Sequence, residues 1–147
     1  MRLTHEIRIT QDEGFRFVVD FGDAIPNLQV DEIEPISHEA GPCPEQMLVT
    51  SVANCLCASL FFALTKYRNQ PRGISATARC CIQRNERGRL RVEAIDVAIQ
   101  VGAEAADMQH LERALSQFED FCTVSESIKQ GVPVSVSVHD GQGKQLK

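Results

Sequence analysis

The stretch Gly41-Pro42-Cys43-Pro44-Glu45, followed by an apolar segment that continues to Arg68, decides the fold of this 147-residue chain. Along the segment, apolar and small side chains recur at spacings of three and four, which is the period of one helix face: Leu48, Val52, Cys55, Leu56, Ser59, Leu60 and Ala63. Most positions between them are apolar as well. We therefore expect one long helix that is buried on most of its sides.

Both ends of this helix carry the expected signals. Pro44 suits a first turn and Glu45 complements the positive end of the helix dipole, whereas Lys66 complements the negative end before Asn69-Gln70-Pro71 stops the helix. The predicted helix has about 24 residues and a length of roughly 36 Å. Such a segment is also long enough to span a membrane. The polar side chains inside it argue against a span: Thr50, Ser51, Asn54 and Ser59.

The bulk composition describes an ordinary globular protein. Hydrophobic residues make up 43% of the chain and charged residues 24%, and the net charge of -5 gives no electrostatic reason to expect nucleic acid or an anionic membrane as a partner. The N-terminal residues alternate polar and apolar side chains without the apolar core of a signal peptide. We expect a single domain over residues 1–147, located in the cytoplasm.

The remaining pattern predicts strands and two shorter helices around the long one. Strands are expected at Glu6–Thr10 and Phe15–Phe21 around a turn at residues 11–14, within Leu28–Ile33, at Ile74–Gln83 and Leu90–Val101, and at Val134, Val136 and Val138. Helices are expected from Asp107 to about Asp120 and from Thr123, where Thr123 and Glu126 form a capping box, to Gly131. The class is α+β. One small sheet cannot cover so apolar a helix, so we expect a tight homodimer.

Six cysteines in a reducing compartment indicate buried thiols, metal ligands or redox groups rather than a disulfide framework. Cys122 lies at the mouth of a predicted helix, where backbone N–H groups favour a thiolate. Cys55 on an apolar helix is, taken alone, typical of a small hydrophobic residue. Cys43 is a third redox candidate. The four histidines have no ligand spacing, so a zinc site is not predicted.

Three segments together carry a more specific signal. They are Gly41-Pro42-Cys43-Pro44-Glu45-Gln46-Met47-Leu48, Ser51-Val52-Ala53-Asn54-Cys55-Leu56 and Cys122-Thr123-Val124-Ser125. In this order, with a closing Val-rich strand, they resemble the OsmC/Ohr family of osmotically inducible and organic hydroperoxide resistance proteins. The resemblance rests most on Pro44-Glu45-Gln46, on Cys55 ten residues after Glu45 and on the Cys-x-x-Ser pattern at Cys122.

The resemblance implies an OsmC-like fold, in which a long central helix is packed by antiparallel sheets in an interlocked homodimer with active sites at the interface. It also implies a thiol-dependent peroxidase of organic hydroperoxides. Cys55 matches the cysteine that attacks the peroxide, and Cys122 matches the one that resolves the resulting sulfenic acid to a disulfide. An external thiol, either a small thiol or a lipoyl-type dithiol protein, would reduce that disulfide. No metal, flavin or other cofactor is implied.

Two charged residues complete the site that the resemblance implies. Glu45 matches the family's glutamate, which pairs with an arginine that stabilises the thiolate. Ten helical residues span about 15 Å, so Glu45 could reach Cys55 only across the dimer; otherwise it complements the helix N-terminus. The peroxidase members carry the arginine in the first hairpin turn, but this turn is acidic. Arg16, just after it, is our assignment, and Arg8 is the alternative.

Two other interpretations remain open. One, favoured by the missing turn arginine, is a dimeric OsmC-like protein without turnover that binds a small apolar ligand at the interface. The other is a purely structural likeness, in which the cysteines are packing residues.

In the family the second cysteine is usually followed by proline, where this chain has Thr123. Threonine can still cap a helix, so the pattern is kept in outline.

Overall fold

A computed structural model describes all 147 residues and shows an α+β fold around one long helix. This helix, α1, comprises the 23 residues Pro44–Lys66, which confirms the predicted bounds. The Cys43 N–H donates a 2.9 Å hydrogen bond to the Gln46 side chain and so fixes the first turn. At the other end, the Asn69 side chain forms two hydrogen bonds with the Gln109 backbone, of 2.7 and 2.8 Å. Both ends of α1 are therefore anchored.

The first sheet is antiparallel, in the order β1-β2-β3, with β1 at Arg8–Glu13, β2 at Arg16–Asp20 and β3 at Leu28–Val30. The prediction of a turn at residues 11–14 is wrong, because Gln11 pairs with Phe17 within the ladder and only Gly14 and Phe15 connect the strands. Gly14 has a φ of +56°, a conformation that permits so tight a turn.

The second sheet is a long hairpin of β4, Ile74–Arg84, and β5, Leu90–Val101. Both strands were predicted, and the alternating exposure of β5 is as expected, since its residues from Ile95 onward are alternately half-buried and exposed. Ile99 and Val101 of the half-buried set pack against the core of the domain. This core consists of Leu60, Ala63 and Leu64 of α1 and Ala114.

Two short helices follow, α2 at Leu111–Gln117 and α3 at Thr123–Lys129. The predicted helix from Asp107 to Asp120 is therefore too long. Short 3-10 helices lie before and after α2, at Ala105–Asp107 and Phe118–Phe121. His110, the residue before α2, has a left-handed backbone conformation with a φ of +53°. The apolar period of the segment is correct, but these local conformations confine the α-helix to its centre.

The predicted last strand is absent. Residues 131–138 adopt no regular secondary structure, and His139 and Gln145 form only an isolated bridge. Val134 and Val136 are 85% and 64% exposed. Alternating valines favour a strand, but a strand also needs a neighbour to pair with, and no strand of the same chain lies beside this segment.

Helix α1 is less buried in the single chain than predicted. Its buried residues are Val52, Ser59, Leu60, Ala63 and Leu64, whereas Phe61 and Phe62 are 52% and 55% exposed. By length and composition alone α1 could cross a membrane, and the same is true of many core helices of soluble proteins. One face of α1 is thus left without cover within the chain.

Candidate active site

The structure brings Cys55 and Cys122 together, although they are far apart in the sequence. Cys55 lies half-buried near the middle of α1, and Cys122 is fully buried at the residue before α3. The two thiols are close enough that each perturbs the pKa of the other, and both are free. When one of two neighbouring thiols is oxidised to a sulfenic acid, the other can condense with it to form a disulfide.

Cys122 itself caps α3. Its sulfur accepts a 3.4 Å hydrogen bond from the Ser125 N–H, so the predicted capping box with Thr123 as the cap is wrong by one residue. Thr123 is exposed and forms the first residue of the helix. The amide groups of the first turn of α3 are consequently directed at sulfur rather than at a hydroxyl oxygen.

The surroundings shift the pKa values of the two thiols in opposite directions. Burial raises the pKa of Cys55 above its ordinary value, and the Val124 amide only partly offsets this. Burial also acts to raise the pKa of Cys122, but the Ser125 side chain, the Cys55 thiol and the amides of Ser125 and Val124 together hold it below its ordinary value. Within one chain the thiolate is therefore favoured on Cys122, as its position at a helix mouth predicted.

No cationic side chain is among the groups that shift either thiol pKa. Lys129 of α3 is engaged elsewhere, since its Nζ lies 3.1 Å from a Glu119 carboxylate oxygen and 2.7 Å from one of Glu126. These two carboxylates raise the pKa of Lys129 to about 12. The site in a single chain thus lacks the positive charge that would stabilise a thiolate on Cys55.

An open apolar cleft of about 570 Å³ adjoins the thiol pair. It lies between α1, β5 and α3, and it includes Leu56, the neighbour of Cys55, and Ser125, which bonds Cys122. Most of its lining is hydrophobic: Leu48, Val52, Leu56, Val92, Ala94, Ile95, Val97, Ile99, Phe118 and Ile128. A ligand with an apolar body fits this lining better than a strongly hydrated one.

Glu45 and Arg16 are not brought to the thiols of their own chain. Glu45 lies in the first turn of α1 and lines a second cleft on another side of the helix. Arg16 begins β2, where its guanidinium contacts Asp12 at 2.7 Å and Glu13 at 3.1 Å. The hydrogen bond with Asp12 raises the pKa of Arg16. The acidic turn thus provides Arg16 with carboxylate partners of its own.

Cys43, the third redox candidate, is likewise separate from the pair. It is 7% exposed and lines the second cleft, of about 890 Å³, together with Cys57 and Cys80. No group of three or more His, Cys, Asp or Glu side chains is arranged to hold a metal ion.

The sequence reasoning missed Asp31, which shapes the loop before α1. Asp31 is 3% exposed, and its carboxylate accepts hydrogen bonds from the N–H groups of Glu32 at 2.8 Å and Ala40 at 3.1 Å. The nearby Ser37 side chain, which has the largest effect, and these backbone amides together lower the pKa of Asp31 to about 2. The Asp31 N–H in turn donates to the Pro42 carbonyl at 3.2 Å. The only available signal was an aspartate preceding a Ser- and Pro-containing loop.

Gly41 explains why the same loop packs so closely. A Cβ at this position would overlap the Gln29 carbonyl of β3, so only glycine lets the loop pass against the strand. The glycine of the opening motif thereby sets the entry of the chain into α1.

We expect Asp31→Asn to lower the melting temperature by several degrees, because an amide cannot accept all of the carboxylate's hydrogen bonds. The pKa of Asp31 is lowered by folding from 3.8 to about 2, so its contribution is complete above pH 3.8 and is lost as the pH falls through about 2. Thermal unfolding of both proteins between pH 7 and 2 measures this. The difference in melting temperature should shrink at the acidic end of this range. Asp23→Asn, which removes an exposed carboxylate, should melt at the temperature of the wild type throughout the range.

Comparisons with known proteins agree with this architecture. The family model described as OsmC-like protein matches residues 37–137, well over half of the chain. No curated protein sequence matches significantly. Among solved structures, an OsmC-like protein of unknown function from Vibrio cholerae superposes with a TM-score of 0.73 at 18% identity, covering 86% of this chain and 94% of that one.

Two further solved structures are named organic hydroperoxide resistance proteins. The one from Elizabethkingia anophelis has a TM-score of 0.67 at 14% identity, with 89% of this chain and 93% of that chain covered. OhrB of Bacillus subtilis has a TM-score of 0.60 at 15% identity, with 86% and 92% covered. At these identities the likeness establishes the fold, and the predicted OsmC-like α+β class is confirmed.

Proposed function

We propose that this chain, which belongs to the OsmC-like protein family, is a cytoplasmic thiol-dependent peroxidase that reduces organic hydroperoxides by a two-cysteine cycle. The observation that carries the proposal is the pair of free thiols, Cys55 and Cys122, beside an apolar cleft. Structural neighbours named organic hydroperoxide resistance proteins agree with it. The six free cysteines are consistent with a reducing compartment.

The cycle uses only sulfur chemistry. The Cys55 thiolate attacks the terminal oxygen of the hydroperoxide, the O–O bond breaks, and the alkoxide leaves and is protonated to the alcohol. Cys55 is then a sulfenic acid, which Cys122 attacks to form a disulfide with loss of water. Two electrons and two protons from an external thiol, a small molecule or a lipoyl-type dithiol protein, return both cysteines to the thiol form. No metal or cofactor enters this cycle.

A second copy of the chain is part of the proposal, since the site is incomplete without one. A cation must reach Cys55 to lower its raised pKa, and Arg16 and Glu45 do not lie near it in the same chain. Helices packed antiparallel with the two-fold axis midway between Glu45 and Cys55 would bring the first turn of one α1 towards the middle of the other. Arg16 would then exchange an Asp12 or Glu13 contact for one with the partner's site.

The uncovered apolar surface supports the same assembly. Phe61 and Phe62 expose more than half of their surface on α1, and Val134 and Val136 do so in the C-terminal segment. We expect sedimentation equilibrium to give a species of twice the 16.3 kDa chain mass. Phe61→Glu should shift this species towards the monomer, whereas Leu3→Glu at the exposed N-terminus should leave it unchanged. A monomer in the wild type would exclude the shared site.

The test of the proposed function is a covalent one. One equivalent of cumene hydroperoxide is added to the reduced protein, and cysteine linkages are mapped within seconds by non-reducing peptide mass spectrometry. The proposal requires a Cys55–Cys122 disulfide in near-stoichiometric yield. Free thiols after this treatment would reject it, and a disulfide through Cys43 would keep the enzyme but replace the resolving cysteine.

We expect Arg16→Ala to slow peroxide reduction at least about tenfold, because a hydrogen-bonded cation is then lost from the Cys55 thiolate. The rate constant of Cys55 oxidation at pH 7 measures this. Arg8→Ala is the matched control, since Arg8 lies in the neighbouring strand and was the alternative assignment. A wild-type rate for Arg16→Ala with a slow Arg8→Ala would transfer the role to Arg8.

One observation favours a second candidate, a dimeric protein that binds a small apolar ligand without turnover. Arg16 is neutralised by two carboxylates of its own turn, so a site that never recruits it would hold a ligand in the cleft but leave Cys55 protonated. In that case the Cys55 thiol reacts with hydroperoxide no faster than free cysteine does.

A further inference from the structure

The hydroxyl group of Ser125 has no assigned role in the cycle described above. Ser125 is 6% exposed, and its Oγ is a buried side-chain polar atom without any hydrogen-bond partner in the dithiol protein. A buried hydroxyl that makes no bond costs free energy, and most buried polar groups in proteins are paired. This residue lies at the thiol pair, with its N–H on the Cys122 sulfur and its side chain at the apolar cleft.

The unpaired state of this hydroxyl depends on the charge of its neighbour. A neutral thiol is a weak hydrogen-bond acceptor, whereas a thiolate accepts strongly. A serine hydroxyl rotates about its Cβ–Oγ bond and can turn towards whichever acceptor gains charge. Cys122 is the reacting group nearest to Ser125 along the chain, one helical turn before it. The Cys122 sulfur already accepts a 3.4 Å hydrogen bond from the Ser125 N–H.

We propose that the Ser125 hydroxyl is the hydrogen-bond donor to the Cys122 sulfur whenever that sulfur is a thiolate, and that it thereby sets how readily Cys122 attacks and leaves. This inference rests on the proposed function insofar as it assigns the bond a catalytic use. The lowered pKa of Cys122, to which the Ser125 side chain contributes, agrees with the geometry.

The bond acts in both halves of the cycle. During resolution, the Cys122 thiolate displaces hydroxide from the Cys55 sulfenic acid, the S–S bond forms, and the hydroxide takes up a proton to become water. During reduction, a thiolate of the external reductant attacks the Cys55 sulfur, and Cys122 leaves with the electron pair of the S–S bond. In each half Cys122 carries the negative charge at one stage, and the Ser125 hydroxyl stabilises it there.

The test measures the pKa of Cys122 without any peroxide. In a Cys55→Ser background, the rate of Cys122 alkylation by iodoacetamide is followed against pH, with the modified peptide quantified by mass spectrometry. Ser125→Ala should raise the pKa of Cys122 by about one unit, as expected for the loss of a hydrogen bond to a charged group. An unchanged pKa would overturn the proposal.

Controls separate this role from a structural one. Ser127→Ala removes an exposed hydroxyl from the same helix and should leave the pKa unchanged. Ser125→Thr keeps a hydroxyl and should retain the parent pKa. Because the Ser125 hydroxyl makes no bond in the dithiol protein, Ser125→Ala should melt at or above the temperature of the parent. Loss of folding in this variant would show a structural role and would also overturn the proposal.

A rate measurement then addresses the use of the bond in catalysis. At a pH well below the pKa of Cys122 in both proteins, a rise of one pKa unit lowers the thiolate fraction about tenfold. A more basic thiolate is also more nucleophilic, so disulfide formation should slow only about three- to fourfold. At pH values above the pKa of Cys122 in both proteins, the difference in the rate of disulfide formation should vanish or reverse. If the wild type forms no disulfide, the peroxidase function fails, whereas the pKa comparison still decides whether Ser125 donates to Cys122.

Discussion

Replacement of Cys55 by serine is expected to abolish the reduction of organic hydroperoxides. A serine hydroxyl remains protonated at neutral pH and does not attack an O–O bond, whereas a thiolate does. The substitution exchanges sulfur for oxygen at a half-buried position of α1, so the fold should be retained. Turnover is measured with cumene hydroperoxide and a dithiol reductant, and the circular dichroism spectrum reports on the fold.

Cys57 provides the matched control for this variant. It lies on the same helix, is half-buried like Cys55, and lines the second cleft rather than adjoining Cys122. Cys57→Ser should therefore keep wild-type turnover. Unchanged turnover in Cys55→Ser would reject the peroxidase assignment, and loss of turnover in both variants would indicate that the sulfur atoms matter for packing rather than for chemistry.

The features that local sequence encodes most directly were predictable. Helix α1 has a strong apolar period, a proline at its start and a proline beyond its end, and its bounds were confirmed. The β4–β5 hairpin combines two long runs, of which the second alternates apolar and polar residues, with a turn containing Gly88, and it was confirmed as well. The position of Cys122 at a helix mouth was correct, and the pKa lowered by its surroundings agrees with that prediction.

The errors arise where tertiary contacts decide the local structure. The first hairpin turn is shorter than predicted because Arg16 binds Asp12 and Glu13, which keeps the strands paired up to Glu13 and Arg16. The valines near the C-terminus have the period of a strand but no neighbour within the chain. The hydrogen bonds of Asp31 join residues up to eleven positions apart, as the bond from its N–H to the Pro42 carbonyl illustrates. No short sequence pattern predicts bonds over this separation.

The burial of α1 depends on more than one chain, which also limits what its sequence can predict. An apolar helix surface is encoded in the sequence, but whether a sheet of the same chain or a second copy covers it is not. In the structure, the face with Leu60 and Leu64 packs inward, whereas Phe61 and Phe62 remain more than half exposed. The same division applies to the site, since the thiols meet within one chain and the charged residues Arg16 and Glu45 do not join them.

The second large effect is expected for Cys122→Ser, which should stop the cycle after one turnover. Cys55 would still reduce one equivalent of hydroperoxide and would remain as a sulfenic acid, because no neighbouring thiol is left to form a disulfide with it. Dimedone added after the peroxide should label Cys55 in this variant and should not label the wild type. Cys43→Ser, which removes a buried thiol on the second cleft, should behave as the wild type does.

The same reagents decide which cysteine attacks first. Within one chain the thiolate is favoured on Cys122 and disfavoured on Cys55, so a chain acting alone would direct the peroxide to Cys122. In that case dimedone would label Cys122 in the Cys55→Ser variant and nothing in Cys122→Ser. We expect the opposite pattern, because a partner subunit that supplies a cation to Cys55 lowers its pKa and reverses the order. Reversed labelling would therefore assign the attack to Cys122 and would leave Arg16 without a catalytic role.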